Sequence, residues 1–538
     1  MAGSWTNLLA NPEFVRHRRA ELRPVRAITV AAVVLAVCAL LGMACWSYEQ
    51  NLLAGAETGV RIYGTEAWQH RLNALQQAFA QKTWMLFYRW LIGIQGIALS
   101  FWALFSCAQS VSGERDRKTW EFQRTTRLTP MEIMIGKLLG EPVLMYFAVL
   151  CAAPVTLIAG LGGGLPFGTV ISVYLVLAMI SIFLGLAGMW LSTLLESRTR
   201  GIGLIGALAA YGLTLGIYGM RESGLPGLAA LSPLIATIDL LGVSPDSNLN
   251  RVPPVLFGQH VPWWLMCLLL CGSFSVWLGL MLVRNLKRDY PDIRPLSRWQ
   301  AIGCAAFLNF LIYALLRPVS VSPGVDLHVR GWFKDSGDVA VFAVTMNGLI
   351  LFLMGLATLT PQERLKVWRR KRTAGESKMF AEDGLPWPWL GISAIVAYAL
   401  MVWGLLAWDR ALPLNMSTLQ TAALQLLLIA VFVTRDVLFL QWCMLTRLRQ
   451  PVVKGALFLG LYYAAAAVLA GLAGVSSNDA SRWVLALLTP VRAFDTDSAM
   501  TLSTGTYVGL IVQMVAILAV IVAVDSRLQR PVRSGAAA

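Results

Sequence analysis

The chain alternates long apolar runs with shorter polar ones, and the polar runs differ strongly in charge. Apolar runs largely free of charge lie at about 27–47, 84–108, 141–161, 168–194, 201–219, 263–283, 299–316, 339–359, 387–407, 418–445, 453–474 and 505–524. Each is near the ~20 residues that a helix needs to cross a bilayer, which predicts about twelve spans. The polar stretch 48–83 is only mildly basic. The Gly160 to Pro166 run, GLGGGLP, marks a tight turn between spans. Within 220–262 the run LAALSPLIATIDLLG is too short and interrupted to cross, and is expected to form a re-entrant or interfacial hairpin.

Strongly basic loops recur at every second connection between these spans, on one side of the membrane. Arg198 and Arg200 precede the fifth; Arg284, Lys287, Arg288, Arg294 and Arg298 follow the sixth; a run from Arg364 to Lys378 follows the eighth; Arg527, Arg530 and Arg533 close the chain. Basic loops mark the cytoplasmic side, so both termini are predicted inside. The resulting fold class is an all-α polytopic membrane protein. Three echoes suggest that its second half repeats its first. ESRTRGIGLIGALAAYGL from Glu196 is echoed by LTRLRQPVVKGALFLGLYYA from Leu445, and ALSPLIATID from Ala230 by LLTPVRAFDT from Leu487. ELRPVRA before the first span has a fainter echo in DIRPLSRWQA from Asp292. Their shared order implies two parallel halves of six spans. The expected boundaries are a basic interfacial helix at 1–26, a first half at 27–283, a linker at 284–298, a second half at 299–524 and a tail at 525–538.

Composition agrees. Of 538 residues 57% are hydrophobic and 14% charged, with a mean hydropathy of +0.63, whereas soluble chains carry about a quarter charged residues. The net charge of +15 fits basic loops at a membrane surface rather than a nucleic-acid partner. The eight cysteines sit almost entirely in apolar runs without a CxxC, as small apolar residues would. The four histidines fall in predicted loops, where solvated side chains are expected, and no metal-ligand spacing appears. The first apolar run lacks a cleavage-site pattern and is expected to be a retained span.

A dense charged insert lies at 112–140, SGERDRKTWEFQRTTRLTPMEIMIGKLLG, between the second and third spans. It holds Gly113-Glu114, a basic cluster of Arg115, Arg117 and Lys118, then Thr119-Trp120-Glu121-Phe122. Thr129-Pro130, Glu132-Ile133 and Gly136-Lys137 follow. This order resembles the first intracellular loop of ABC-2 type transporter permeases, with Lys118 standing where that family usually has glycine. The Asn-Pro and basic helix near the N-terminus resemble the same family. The resemblance implies that 109–140 holds a coupling helix docking on separate cytoplasmic ATPase subunits, two per chain. Glu114 and Glu121 would meet donors on that ATPase, and Trp120 and Phe122 would fill a cleft in it. The bare alternative is an interfacial helix pairing with its own Arg115, Arg117 and Lys118. Family habit also implies export, and ATP with Mg²⁺ held by the partner. Nothing here resembles a phosphate-cradling GxxxxGK[ST], a GxSxG or an HExxH, so no catalytic site is expected in this chain.

The second half repeats the motif incompletely. Thr360-Pro361-x-Glu363 echoes Thr129-Pro130-x-Glu132, but no Gly-Glu precedes it, so the loop at 360–386 is expected to be degenerate. Arg435 and Asp436 interrupt the tenth apolar run. Either they form a polar hinge or part of a transport route, or the helix breaks there or another helix satisfies them. Gly212 and Gly216 form a GxxxG in the fifth run and predict close helix packing. Two other classes stay open at this level. One is a major-facilitator-like proton-coupled transporter, for which Asp436 would be the coupling acid. The other is a non-transporting membrane scaffold. No pattern names a cargo.

Overall fold

A computed structural model describes residues 11–125, 127–194, 200–218, 226–234, 254–257, 259–288, 296–315, 336–376, 380–408, 416–446, 451–476, 478–494 and 504–529. It is helical but for one two-residue antiparallel pair, β1 (Val255–Leu256) with β2 (Gln259–His260). The chain divides into two compact units, Met1–Pro295 and Leu296–Ala538.

The first unit contains α1 (Pro12–Glu21), α2 (Pro24–Tyr63), α3 (Glu66–Asp116), α4 (Trp120–Thr125), α5 (Pro130–Gly140), α6 (Val143–Gly162), α7 (Phe167–Leu194), α8 (Arg200–Gly216) and α9 (Trp263–Asn285). The second contains α10 (Arg298–Leu315), α11 (Ser336–Ala357), α12 (Gln362–Thr373), α13 (Trp387–Trp408), α14 (Met416–Met444), α15 (Pro451–Ser476), α16 (Asn478–Leu488) and α17 (Thr504–Gln529). Every predicted span falls on a helix. Among the described residues ten helices are long and apolar enough to cross a membrane, or eleven if the bent pair α11–α12 counts as one. The remaining predicted span is α8, whose 17 described residues are one short of that length.

In the first unit α3 is the central post, packed by α2, α6, α7 and α8. Glycines on α7 permit its closest contact. A side chain at Gly188 would meet the Leu104 backbone, and one at Gly185 would come within 2.7 Å of Leu138 Cδ1. The stretch 48–83, read from the sequence only as polar and mildly basic, prolongs α2 and α3 into a helical hairpin. Its seam joins Trp46 to Phe79 and stacks Tyr63 on Trp68, and Gly59 leaves room for the Trp68 ring. Gly64 turns the corner at φ +57°, a conformation glycine adopts without strain.

In the second unit α14 packs against α11, α13, α15 and α17. The apolar run of α15 is followed by α16, which folds back on it and ends near the middle of α14. The echo in the first half, 226–234, forms a 3₁₀ turn against α9; the rest of the predicted hairpin at 235–242 lies outside the described residues. All eight cysteines are free, six of them buried.

Candidate functional site

The loop at 112–140 is built from its first turn upward. Helix α3 ends in a paired cap: Thr119 N–H donates to Glu114 O at 3.0 Å and Lys118 N–H to Arg115 O at 3.0 Å. This closure places Lys118 in the left-handed region at φ +58°. Glycine is the usual residue at that position of the motif, which gives a physical reason for the glycine of the family pattern. Thr119 also donates its hydroxyl to Glu114 O at 3.2 Å. Helix α5 begins with Pro130 behind an N-cap Thr129. Glu132 N–H donates to Thr129 Oγ1 at 3.2 Å, and Thr129 N–H returns a bond to Glu132 Oε2 at 2.7 Å. Thr-Pro-x-Glu is therefore a capping box.

Between these two ends lies a buried ionic cluster, and α1 completes it. Lys137, fully buried at 0% exposure, donates to Glu114 Oε2 at 2.5 Å and sits 3.5 Å from Glu13 Oε1. Arg16 bridges Glu114 Oε1 at 2.7 Å and Glu13 Oε1 at 2.6 Å, and Gln123 donates to Glu114 Oε1 at 2.8 Å. Asn11 caps α1 through bonds from Glu13 and Phe14 N–H, and donates to Glu132 O at 2.8 Å. Helix α1 can approach this closely because α5 is bare where they meet. A Cβ on Gly136 would lie 2.6 Å from Glu13 Cβ, and one on Gly140 would lie 2.9 Å from His17.

Burial alone would raise the Glu13 carboxyl. The hydrogen bond with His17 and the charges of Lys137 and Arg16 outweigh it and hold the group at about 2. Glu141, near His17, is pushed above its ordinary value by burial, with His17 and Lys137 offsetting part of the effect. Glu13, His17 and Glu114 lie close enough to ligate an ion, but Lys137 and Arg16 already occupy the same carboxylate oxygens. This is an ion-pair network whose cations are side chains.

Two expectations change. Glu114 is buried and both its oxygens are engaged within the chain, so it is not a free acceptor for an ATPase. Its partners are Lys137 and Arg16, not the adjacent Arg115, Arg117 and Lys118. Trp120 is buried as well. It packs with Val111 of α3, Ile133 and Leu138 of α5, Met189 of α7, and Leu282 and Leu286 at the end of α9, and Lys137 stands 5.7 Å from its ring. The outward residues are Arg117, Lys118, Thr119, Thr125, Arg127 and Thr129. Gly113 has open space beside it. The side chains of Glu121 and Phe122 lie outside the described ones. Sequence reasoning missed Asn11, Glu13, Arg16, His17 and Gly140; the Asn-Pro preceding a basic helix was the available signal.

The family model described as ABC-2 family transporter protein matches residues 21–290, half of the chain. The chain belongs to that family. It is a multi-pass membrane permease of the ABC-2 type, a class that associates with ABC ATPase subunits. No match was found among curated proteins or solved structures. The matched residues hold α2 to α9 and the whole of the loop, and end before the second unit.

In the second unit of the permease, Arg435 and Asp436 lie on an unbroken α14. Arg435 donates to Asp436 Oδ1 at 2.6 and 2.8 Å, to Gln513 Oε1 at 2.6 Å and to the Tyr462 and Tyr463 hydroxyls at 3.1 and 2.9 Å. Tyr463 donates to Asp436 Oδ2 at 2.5 Å. Tyr462 and Gln513 then donate to Leu488 O and Leu487 O at 2.9 and 2.6 Å, satisfying the carbonyls that end α16. Of the alternatives raised by the sequence, other helices satisfy the pair and the helix does not break there. The network positions α16 and holds Asp436 between Arg435 and Tyr463. Gly212 and Gly216 meet open space, so among the described residues the predicted close packing is not made. Exposed Gly212 and Gly216 are turned away from α3, while Tyr211 of the same helix bonds Ser100 of α3.

Proposed function

We propose that this permease takes up the work of ATP hydrolysis through the turn Arg117–Thr119 and α4, driving export. ATP and Mg²⁺ reside in separate cytoplasmic ATPase subunits, two per chain, and this chain holds no catalytic site. The observation that carries the reading is the seat of α4. Trp120 is wedged among the ends of α3, α5, α7 and α9, while Glu114 and Lys137 lock the same turn to α5. A push on the exposed side of α4 therefore reaches three spanning helices together, since packed cores respond as units rather than by continuous deformation. The buried acids position this surface; the outward cations and hydroxyls meet the ATPase. Orientation with both termini inside follows from the basic loops.

The test is co-purification. The tagged chain is extracted from its native membranes and bound P-loop ATPases are measured by mass spectrometry, with wild type and with Arg117→Glu plus Lys118→Glu. An ATPase with the wild-type chain, lost from the double variant at unchanged thermal stability, is the expected result. An ATPase retained by the double variant, or none with wild type under mild extraction, overturns the proposal. Glu114 is unsuited to this test, because a lysine there would be buried against Lys137.

A further inference from the structure

Helix α12 follows Thr360-Pro361-x-Glu363 in the second unit as α5 follows Thr129-Pro130-x-Glu132 in the first, and its surface is opposite in character. Aligning Thr129-Pro130-x-Glu132 with Thr360-Pro361-x-Glu363 puts Val367 where α5 has Gly136 and Lys371 where it has Gly140. On α5 those glycines admit α1, which brings Glu13 to Lys137. On α12 the corresponding face is open. Val367 is 49% exposed, and Arg370 and Lys371 are exposed beside it.

We infer that this face of α12 binds the anionic headgroups of membrane lipids. Three observations lead there. First, α12 turns 84° from α11 at a break of at most four residues, so with α11 taken as the crossing segment α12 lies close to the membrane plane. Second, its inner side is fixed. Leu365 and Trp368 pack on Leu445, Val524 and Leu528 at the ends of α14 and α17, and Arg369 binds Asp525 at 3.0 Å. The helix is thereby held at the level where spans leave the bilayer. Third, QERLKVWRRKRT carries six basic residues against one acid, while exposed Val367 and Phe380 (48%) supply apolar contacts at the same level. A cluster of cations just beyond a span attracts anionic headgroups by about 1 kcal/mol per residue, and apolar side chains among them enter the acyl boundary. The first unit meets its buried lysine with Glu13 from the same chain; the second meets an exposed cluster with phosphate from the leaflet. The inference does not depend on the ATPase reading.

The experiment uses the full chain reconstituted with phosphatidylglycerol and phosphatidylcholine, then gently re-extracted, with retained lipid quantified by mass spectrometry. Wild type should retain phosphatidylglycerol above its bulk proportion, and raised salt should reduce the excess. Arg370→Gln with Lys371→Gln should weaken headgroup binding by up to roughly thirtyfold. The charge-conserving Arg370→Lys with Lys371→Arg should restore it. Both positions are exposed, and equal thermal stability of the two variants excludes misfolding as the cause. No excess in wild type, or an excess unchanged by the neutral variant, overturns the inference. So does loss of a co-purifying ATPase without loss of phosphatidylglycerol, which would assign the face to protein.

Discussion

Thr129-Pro130-x-Glu132 and Thr360-Pro361-x-Glu363 share a spelling and almost nothing else. The first is exposed and spends its threonine on the capping box of α5. In the second only the threonine is buried: Thr360 N–H donates to Gln441 Oε1 at 2.9 Å and Thr360 O accepts from Gln441 at 2.8 Å. Its hydroxyl accepts from Arg298 at 2.9 Å. Arg298, at the start of α10, also donates to Thr358, Gly384 and Leu385 carbonyls. One unit organises its loop around a buried lysine held by carboxylates, the other around a buried arginine holding backbone carbonyls. The same local motif can thus serve a helix cap or a tertiary joint, and the residues facing it decide which.

The hardest blow to this contrast is Lys137→Met. It would strand Glu114 and Glu13 together without their buried cation, and unfolding of the detergent-solubilised chain should show a loss of about 3–5 kcal/mol. Adding Glu114→Gln should recover part of that, and a wild-type-like melt for the single variant would refute the network.

Acid probes the same cluster. Glu13 titrates in the folded protein at about 2 against an ordinary value of 4.5. Its contribution is therefore complete above pH 4.5 and is lost as pH falls toward 2. At most about 3 kcal/mol is involved, and Glu13→Gln should flatten the stability profile in that window alone.

Gly136→Ala would drive a methyl into Glu13 and Asn11 and cost about 1–3 kcal/mol, whereas the register-matched Val367→Gly should cost about 1 kcal/mol or less, as an exposed helix position does. Equal losses would mean that the two helices are covered alike. The smallest effect expected is a gain. Lys118→Gly relieves a left-handed residue and should stabilise the cap of α3 by about 1 kcal/mol, seen as a raised melting temperature.

All twelve apolar runs lie on helices because hydrophobic length is a local property. The hairpin beyond the first two spans was hidden, since its seam of Ala56, Gly59 and Trp68 is too sparse to raise the hydropathy of 48–83. At the loop, the turn residues were legible as a family pattern, but their direction was not. Whether Glu114 faces a partner or the interior depends on Arg16, 98 residues earlier, and on Lys137, 23 later. Likewise Arg435 and Asp436 read as an anomaly until Tyr462, Tyr463 and Gln513 arrive from two other helices. Gly212 and Gly216 show the converse: a packing motif specifies a smooth face and not a neighbour.

Helix α3 joins two of these features. No proline interrupts its 51 residues, so one rod runs from the Glu114 cluster to the tip of the hairpin at Glu66. The 48 residue steps from Glu66 to Glu114 span about 72 Å at the α-helical rise, against a hydrocarbon core of about 30 Å. With a pivot near the loop, a tilt of about 5° would carry the far tip through about 6 Å, by the length of the rod alone. In mechanical terms α3 is a long lever with its short arm in the ionic cluster, and small displacements made on one side of the membrane are enlarged on the other.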